Sequence, residues 1–199
     1  MWIRNEPLFG RHVTLQPLNL SHTQGLQNAV KDGESWRLWY ASVPKPEQMK
    51  GYVDRALEAV QLGDIAYAVI NNETGKVAGT TRYYQVDAKN KRAAIGYTWY
   101  ANSVRRTAIN TEAKLLLLQN IFDTYSAIAV EFKTHLFNQT SRQAIERLGA
   151  KLDGVLRAHQ IMPDGSLRDT AVYSIIASEW PAVRNNLQHR LGAFPCSAT

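Results

Sequence analysis

Two adjacent arginines, Arg105 and Arg106, lie in a polar stretch between the aromatic pair Trp99-Tyr100 and the apolar run Leu115 to Leu118. If the apolar run is helical, the first turn of that helix carries backbone N–H groups without intrahelical partners and the positive end of the dipole. Arg105, Arg106, Thr107, Ala108, Ile109, Asn110 and Thr111 then form a loop suited to phosphate oxygens, with the guanidiniums adding charge-assisted hydrogen bonds. The other reading is an ordinary strand-to-helix connection with a solvated arginine pair, and the loop alone favours neither.

Periodicity sets the elements around this loop. His12 to Gln16 alternates as a first strand ended by Pro17, and Ser21 is placed to cap a short helix through Leu26, Ala29 and Val30, closed by Asp32-Gly33. Trp36, Leu38, Trp39 and Tyr40 form an aromatic cluster, read foremost as a hydrophobic plug and alternatively as the wall of an acceptor pocket. Met49, Val53, Ala56, Leu57 and Val60 recur at helical spacing until Gly63. Three strands with short turns follow, at Ile65 to Ile70, Lys76 to Gln85 and Ala93 to Tyr100, with Gly79 marking a bulge or a close backbone approach.

The helix after the loop buries Leu115, Leu118, Phe122 and Tyr125 on one line, with Leu117 and Ile121 beside it. Ala127 to Thr134 is the next strand, and Thr140 with Gln143 predicts a capping box for a helix ended by Gly149. Pro163-Asp164-Gly165 joins two last strands, about 151–162 and 168–176, and Ser178 opens a terminal helix whose tail frays from about residue 192. This order predicts one α+β domain over residues 1–199, with a core at about 8–180 and a mixed, mainly antiparallel sheet. The strands ending at Tyr100 and beginning at Ala127 are joined by a helix, so they should lie parallel and admit a ligand where they separate.

The bulk composition narrows the classes. With 45% hydrophobic and 20% charged residues among 199, the chain reads as a soluble globular protein, and no apolar run approaches the roughly 18 residues of a membrane span. The opening Met-Trp-Ile-Arg-Asn-Glu-Pro lacks a signal-peptide core, which predicts a cytoplasmic protein. A single cysteine, Cys196, argues against disulfides, a thiol nucleophile and a cysteine-rich metal site, so no metal is expected. The net charge of +6 invites a ribosome- or RNA-binding reading, but the basic residues do not cluster into an arm, and no specific nucleic acid is expected.

The order of elements, the aromatic strand end before an arginine-containing loop and long helix, and Asn138-x-x-Ser141 followed by Ala-Ile-Glu-Arg-Leu-Gly resemble the GNAT superfamily of acyl-CoA-dependent N-acetyltransferases. Within it the chain is most similar to the RimJ/RimL type, whose best-known members acetylate the N-termini of ribosomal proteins. The resemblance implies a central sheet with a splayed parallel strand pair, helices on both faces, and acetyl-CoA as cofactor. It makes the loop amides the cradle of the coenzyme pyrophosphate. Arg105 matches the leading position of the family's loop pattern, whereas Ala108 and Asn110 replace its two small positions. Arg106 and Arg142 are candidates for the 3′-phosphate.

The resemblance further implies that the backbone at Trp99 and Tyr100 binds pantetheine amides and offers an N–H to the thioester carbonyl. Asn138 would bond the pantetheine arm, and Ser141 would protonate the departing thiolate. The acceptor is an amine, on a protein N-terminus or a small molecule, and direct attack asks for a general base. Many relatives carry Glu where this chain has Ala94. The remaining acid–base candidates are Glu112, Glu131, His135, His159 and Tyr173, with dipole compensation, a solvated face or a core position as their ordinary roles. A coenzyme-binding protein without catalysis is the alternative, and a homodimer is implied at family level only.

Overall fold

The computed structural model describes residues 2–192, so the fraying expected of the tail lies outside the described residues apart from its first position. The elements run β1 (Leu8–Phe9), β2 (Val13–Pro17), α1 (Thr23–Lys31), α2 (Met49–Gln61), β3 (Ile65–Asn71), β4 (Val77–Asp87), β5 (Arg92–Tyr100), α3 (Ala108–Gln119), β6 (Ala129–His135), α4 (Gln139–Leu148), β7 (Lys151–Ile161), β8 (Leu167–Ile176) and α5 (Trp180–Gly192). All eight strands join one sheet in the order β1-β2-β3-β4-β5-β6-β8-β7. Every neighbouring pair is antiparallel except β5 and β6, as expected for strands joined through a helix.

That parallel pair is short. β5 meets β6 from Arg92↔Ala129 to Ala94↔Glu131 only, after which β5 stays with β4 and β6 stays with β8 as far as His135↔Thr170. The strands part at Ile95 and Phe132. A bulge sharpens the divergence: the β4–β5 register shifts between Thr80 and Arg82, and Tyr97 opposite the shift adopts φ 52°. Gly79 is the close backbone approach expected of it, because a Cβ there would overlap the Trp99 carbonyl oxygen.

Each sheet face has its own apolar cluster. Ile95, Tyr83, Phe132 and Tyr173 pack with Leu117, Leu118 and Ile121 from α3 and just beyond it, Ile145 and Leu148 of α4, and Val183 and Leu187 of α5. Leu26, Val30, Met49 and Val53 of α1 and α2 cover Ala66, Ala68 and Trp99 on the opposite face. Successive residues of a strand point to opposite faces, which sends Tyr83 to the α3 side and Tyr84 away from it.

Several helix starts differ from expectation. Asn138, not Thr140, caps α4: its Oδ1 accepts from the Ser141 N–H at 3.0 Å, and Thr140 falls inside the helix. Asn19 takes the capping role expected of Ser21, at a 3-10 turn that leads into α1. The terminal helix begins at Trp180 after a turn over 177–179. In each case a polar side chain or turn a few residues away offers the same bond, and sequence spacing does not choose between them.

Candidate functional site

At the start of α3 the left-handed residue is Arg106, with φ 62°, while Ala108 and Asn110 carry no positive φ. The helix therefore opens without asking glycine-like freedom of either substituted position. Thr107 is the N-cap, and its hydroxyl accepts from the Ile109 N–H at 3.3 Å. Arg106, Thr107 and Thr111 line a cavity of about 500 Å³ together with Arg147 at the end of α4 and Asn186, His189 and Arg190 of α5. Three guanidiniums converge with a helix N-terminus, and no carboxylate lines the space, so the cavity favours a polyanion.

Arg105 does not join them. Its Nη2 donates to Ser35 Oγ at 2.6 Å, and its charge acts on Asp32, whose carboxyl is held below its usual range first by the hydroxyl and N–H of Ser103. The leading arginine thus pins the loop to the segment after α1. Sequence reading missed Arg147, Asn186, His189 and Arg190. A signal existed in the terminal helix, where Asn186, His189 and Arg190 share one face at spacings of three and four.

The opening between β5 and β6 is the second part of the site. On its β5 side the Trp99 ring is buried against Tyr52, with centroids 6.4 Å apart, and the Tyr100 hydroxyl is buried without a partner, its pKa pushed up by burial. Both rings belong to the core, so only the strand backbone faces the gap. On the β6 side the chain turns into α4 at Asn138. Asn138 Oδ1 is used as the cap, whereas Asn138 Nδ2 and the Ser141 hydroxyl have no partner among the described residues.

Three expected site residues, Glu112, Arg142 and Tyr173, are engaged elsewhere. Glu112 is buried, and its carboxylate accepts the N–H groups of Arg11 at 2.9 Å, His12 at 2.6 Å and Val13 at 2.8 Å. It anchors the entry to β2, and its oxygens are not offered to a substrate; the acid–base role expected of Glu112 is withdrawn. Arg142 Nε donates to the Tyr173 hydroxyl at 2.8 Å, and that hydroxyl donates to Glu146 Oε1 at 2.8 Å. Burial raises the Tyr173 pKa and its proton already has an acceptor, so the chain Arg142–Tyr173–Glu146 ties α4 to β8 instead of serving the 3′-phosphate or a leaving group.

Among the other acid–base candidates, Glu131 is paired with Arg92 and, at 3.1 Å, with Lys133. His159 Nδ1 meets Thr170 Oγ1 at 3.1 Å. His135 is buried with a lowered pKa, first through desolvation and then through the charge of Arg168. Lys114 interrupts an apolar helical run. It is buried, donates to Thr98 Oγ1 at 2.7 Å and Thr81 Oγ1 at 3.1 Å, and has no carboxylate partner among the described residues.

The aromatic cluster divides between its two readings. Trp36 packs against the α1–α2 core as a plug. Trp39 instead is 54% exposed and stands over His135, with ring centroids 4.9 Å apart, beside Tyr40 and Phe137. It forms a rim at the end of β6, close in sequence to Asn138.

Comparison with known proteins finds relatives that share the fold. The family model described as Acetyltransferase (GNAT) domain matches residues 12–151. A GCN5-related N-acetyltransferase from Brucella melitensis is 28% identical, with 100% of this chain and 92% of that one covered and a TM-score of 0.88. A presumed acetyltransferase from T. thermophilus is 34% identical, with 96% and 100% covered and a TM-score of 0.84. RimL, a ribosomal L7/L12 α-N-protein acetyltransferase solved with coenzyme A, shares the fold at 20% identity and a TM-score of 0.72, with 86% and 98% covered. A curated relative, the uncharacterized N-acetyltransferase p20 of Bacillus licheniformis, is 27% identical over 114 residues, which span 57% of this chain and 63% of that protein.

Proposed function

The chain belongs to the GNAT acetyltransferase family, and on that premise we propose that it is an acetyl-CoA-dependent N-acetyltransferase of the RimJ/RimL type. The observation that carries the reading is the continuity of an arginine-lined cavity at the start of α3 with the loop that leads from the opening between β5 and β6. Arg106, Arg147 and Arg190 fit the coenzyme phosphates, and the free Asn138 Nδ2 and Ser141 hydroxyl fit the pantetheine arm. When bound, acetyl-CoA supplies an acetyl group already activated as a thioester.

The residues of this chain divide the remaining work. Backbone N–H groups at the bulge and strand end of β5 face the opening as donors for a developing oxyanion. Ser141 holds a proton within the α4 start, where it is available to a departing thiolate. With Glu112 committed to backbone and Ala94 apolar, the amine proton leaves through water or a backbone carbonyl, so the neutral fraction of the acceptor amine is the attacking species. One domain over the whole chain, a cytoplasmic location and assembly as a homodimer belong to the same proposal. Among the described residues no helix is long and apolar enough to cross a membrane.

Calorimetric titration with acetyl-CoA, followed by a thiol-release assay over an amine panel, tests it. Micromolar binding together with turnover is expected; binding without turnover on any amine identifies a coenzyme-binding protein, and absence of binding removes the reading.

A further inference from the structure

On the sheet face opposite α3, the helices α1 and α2 cover β3 and β4, and no described helix packs over β6 and β8. His135 of β6 and Thr170 of β8 are cross-strand partners on this open face, and Arg168 stands two residues from Thr170 on the same side. The Thr170 hydroxyl accepts Arg168 Nε at 3.0 Å and also meets His159 Nδ1. No carboxylate lies within ion-pair distance of Arg168 among the described residues, although the guanidinium is only partly exposed. Nearby Glu131 is shared by Arg92 and Lys133, and Arg82 has Asp64. Arg168, unlike Arg92, Lys133 and Arg82, has no carboxylate partner among the described residues.

His135 supplies the second half. Its Nδ1 accepts the Phe137 N–H at 3.1 Å, which leaves Nε2 as the protonated nitrogen of the neutral ring. That Nε2 is buried without a partner, in a side chain only 2% exposed. An unsatisfied buried donor is costly unless something is meant to meet it. The cover over it is thin: Trp39 and Phe137 are 54% and 64% exposed, and among the described residues no hydrogen bond fixes the Trp39 indole.

We propose that His135 and Arg168 form a subsite for a carboxylate carried by the acceptor amine, beneath a rim of Trp39 and Phe137 that receives an apolar side chain, which makes the acceptor an apolar α-amino acid. A carboxylate seats there by moving the Trp39 ring aside and takes one bond from each donor. One neutral N–H and one guanidinium match a singly charged anion. His135 is three residues from Asn138 at the opening between β5 and β6, so the carboxylate is held a short reach from the position of the attacking amine. The inference rests on the acetyl-transfer reading and assigns its acceptor.

The test compares L-phenylalanine, L-phenylalaninamide and phenethylamine on the full chain, with thiol release and, separately, calorimetric binding in the presence of coenzyme A. Counted per neutral amine, the acid should exceed both analogues in kcat/KM by at least about tenfold, Arg168→Gln should abolish that preference, and Trp39→Ala, a change at an exposed ring, should raise KM for all three. Equal turnover of the three amines, or a preference that survives Arg168→Gln, overturns the subsite and leaves the enzyme reading standing. Selective binding of the acid with no thiol released upholds the subsite and counts against acetyl transfer to it; no selective binding and no turnover of the three overturn the subsite, while the broader amine panel decides acetyl transfer.

Discussion

Lys114 Nζ donates to Thr98 Oγ1 at 2.7 Å, so the helix that opens at the anion cavity is tied through a buried ammonium to the bulge that parts β5 from β6. Burial without a carboxylate lowers the Lys114 pKa from 10.5 to about 7. Between those values the unfolded chain binds the proton that the folded chain has released. Stability from this group therefore rises with pH across about 7 to 10.5 and is flat on either side. Lys114→Met removes the dependence and should stabilise the protein by on the order of 4 kcal/mol at or below pH 7, with the gain shrinking toward pH 10. Thr81 and Thr98 remain bonded to each other at 2.8 Å. Urea denaturation of both proteins at pH 6, 8 and 10 measures the difference, and parallel curves would show that Lys114 is not titrating.

Glu112 presents the opposite case, a buried charge whose oxygens are fully satisfied by three N–H groups at the entry to β2. Glu112→Gln keeps the shape but replaces one acceptor oxygen with a donor, setting an N–H against an N–H. The expected loss is about 1 to 3 kcal/mol of stability, with kcat per folded molecule close to that of the parent. Thermal unfolding and an activity assay well below Tm separate the two effects. A large fall in kcat in a stably folded variant would return Glu112 to the acid–base candidates.

Much of the fold was legible because it is written in local periods. The meander of β3 to β5, the parallel relation of β5 and β6 and the hairpin of β7 and β8 follow from alternation, turn residues and connection type. The site was legible only as far as its own strand–loop–helix unit. Arg105 and Arg106 look alike in sequence, and it takes Ser35, some 70 residues upstream, to show which one is turned away. Tyr173 and Arg142 look like separate candidates until α4 docks on β8 and Glu146 joins them. Lys114 shows its partners only once the helix packs its face against two threonines. Long-range pairings of this kind have no signature in spacing.

The same geometry ranks the arginines for coenzyme binding. Arg147→Ala and Arg190→Ala should each weaken coenzyme A binding by about 1 to 3 kcal/mol, since both line the cavity and alanine suits a helix. Arg105→Ala should cost clearly less, because its guanidinium is spent on Ser35. Calorimetric dissociation constants at fixed ionic strength decide the order. If Arg105→Ala proves the most damaging of the three, the loop must rearrange on binding so that Arg105 leaves Ser35.

Asn138 combines two roles that one substitution can pull apart. Its Oδ1 caps α4 through the Ser141 N–H, and its Nδ2 is a free donor beside the opening between β5 and β6. Asn138→Asp keeps the cap, and its negative charge suits a helix N-terminus, so stability should stay within about 0.5 kcal/mol of the parent. The donor is lost and an anion takes its place. If Nδ2 holds a carbonyl of the pantetheine arm, kcat/KM for acetyl-CoA should fall by about tenfold or more. Asn138→Ala removes both functions and should lose about 1 kcal/mol of stability in addition. Equal kcat/KM in the parent and the aspartate variant, with Tm unchanged, would reduce Asn138 to a helix cap and leave the Ser141 hydroxyl to meet the pantetheine arm alone.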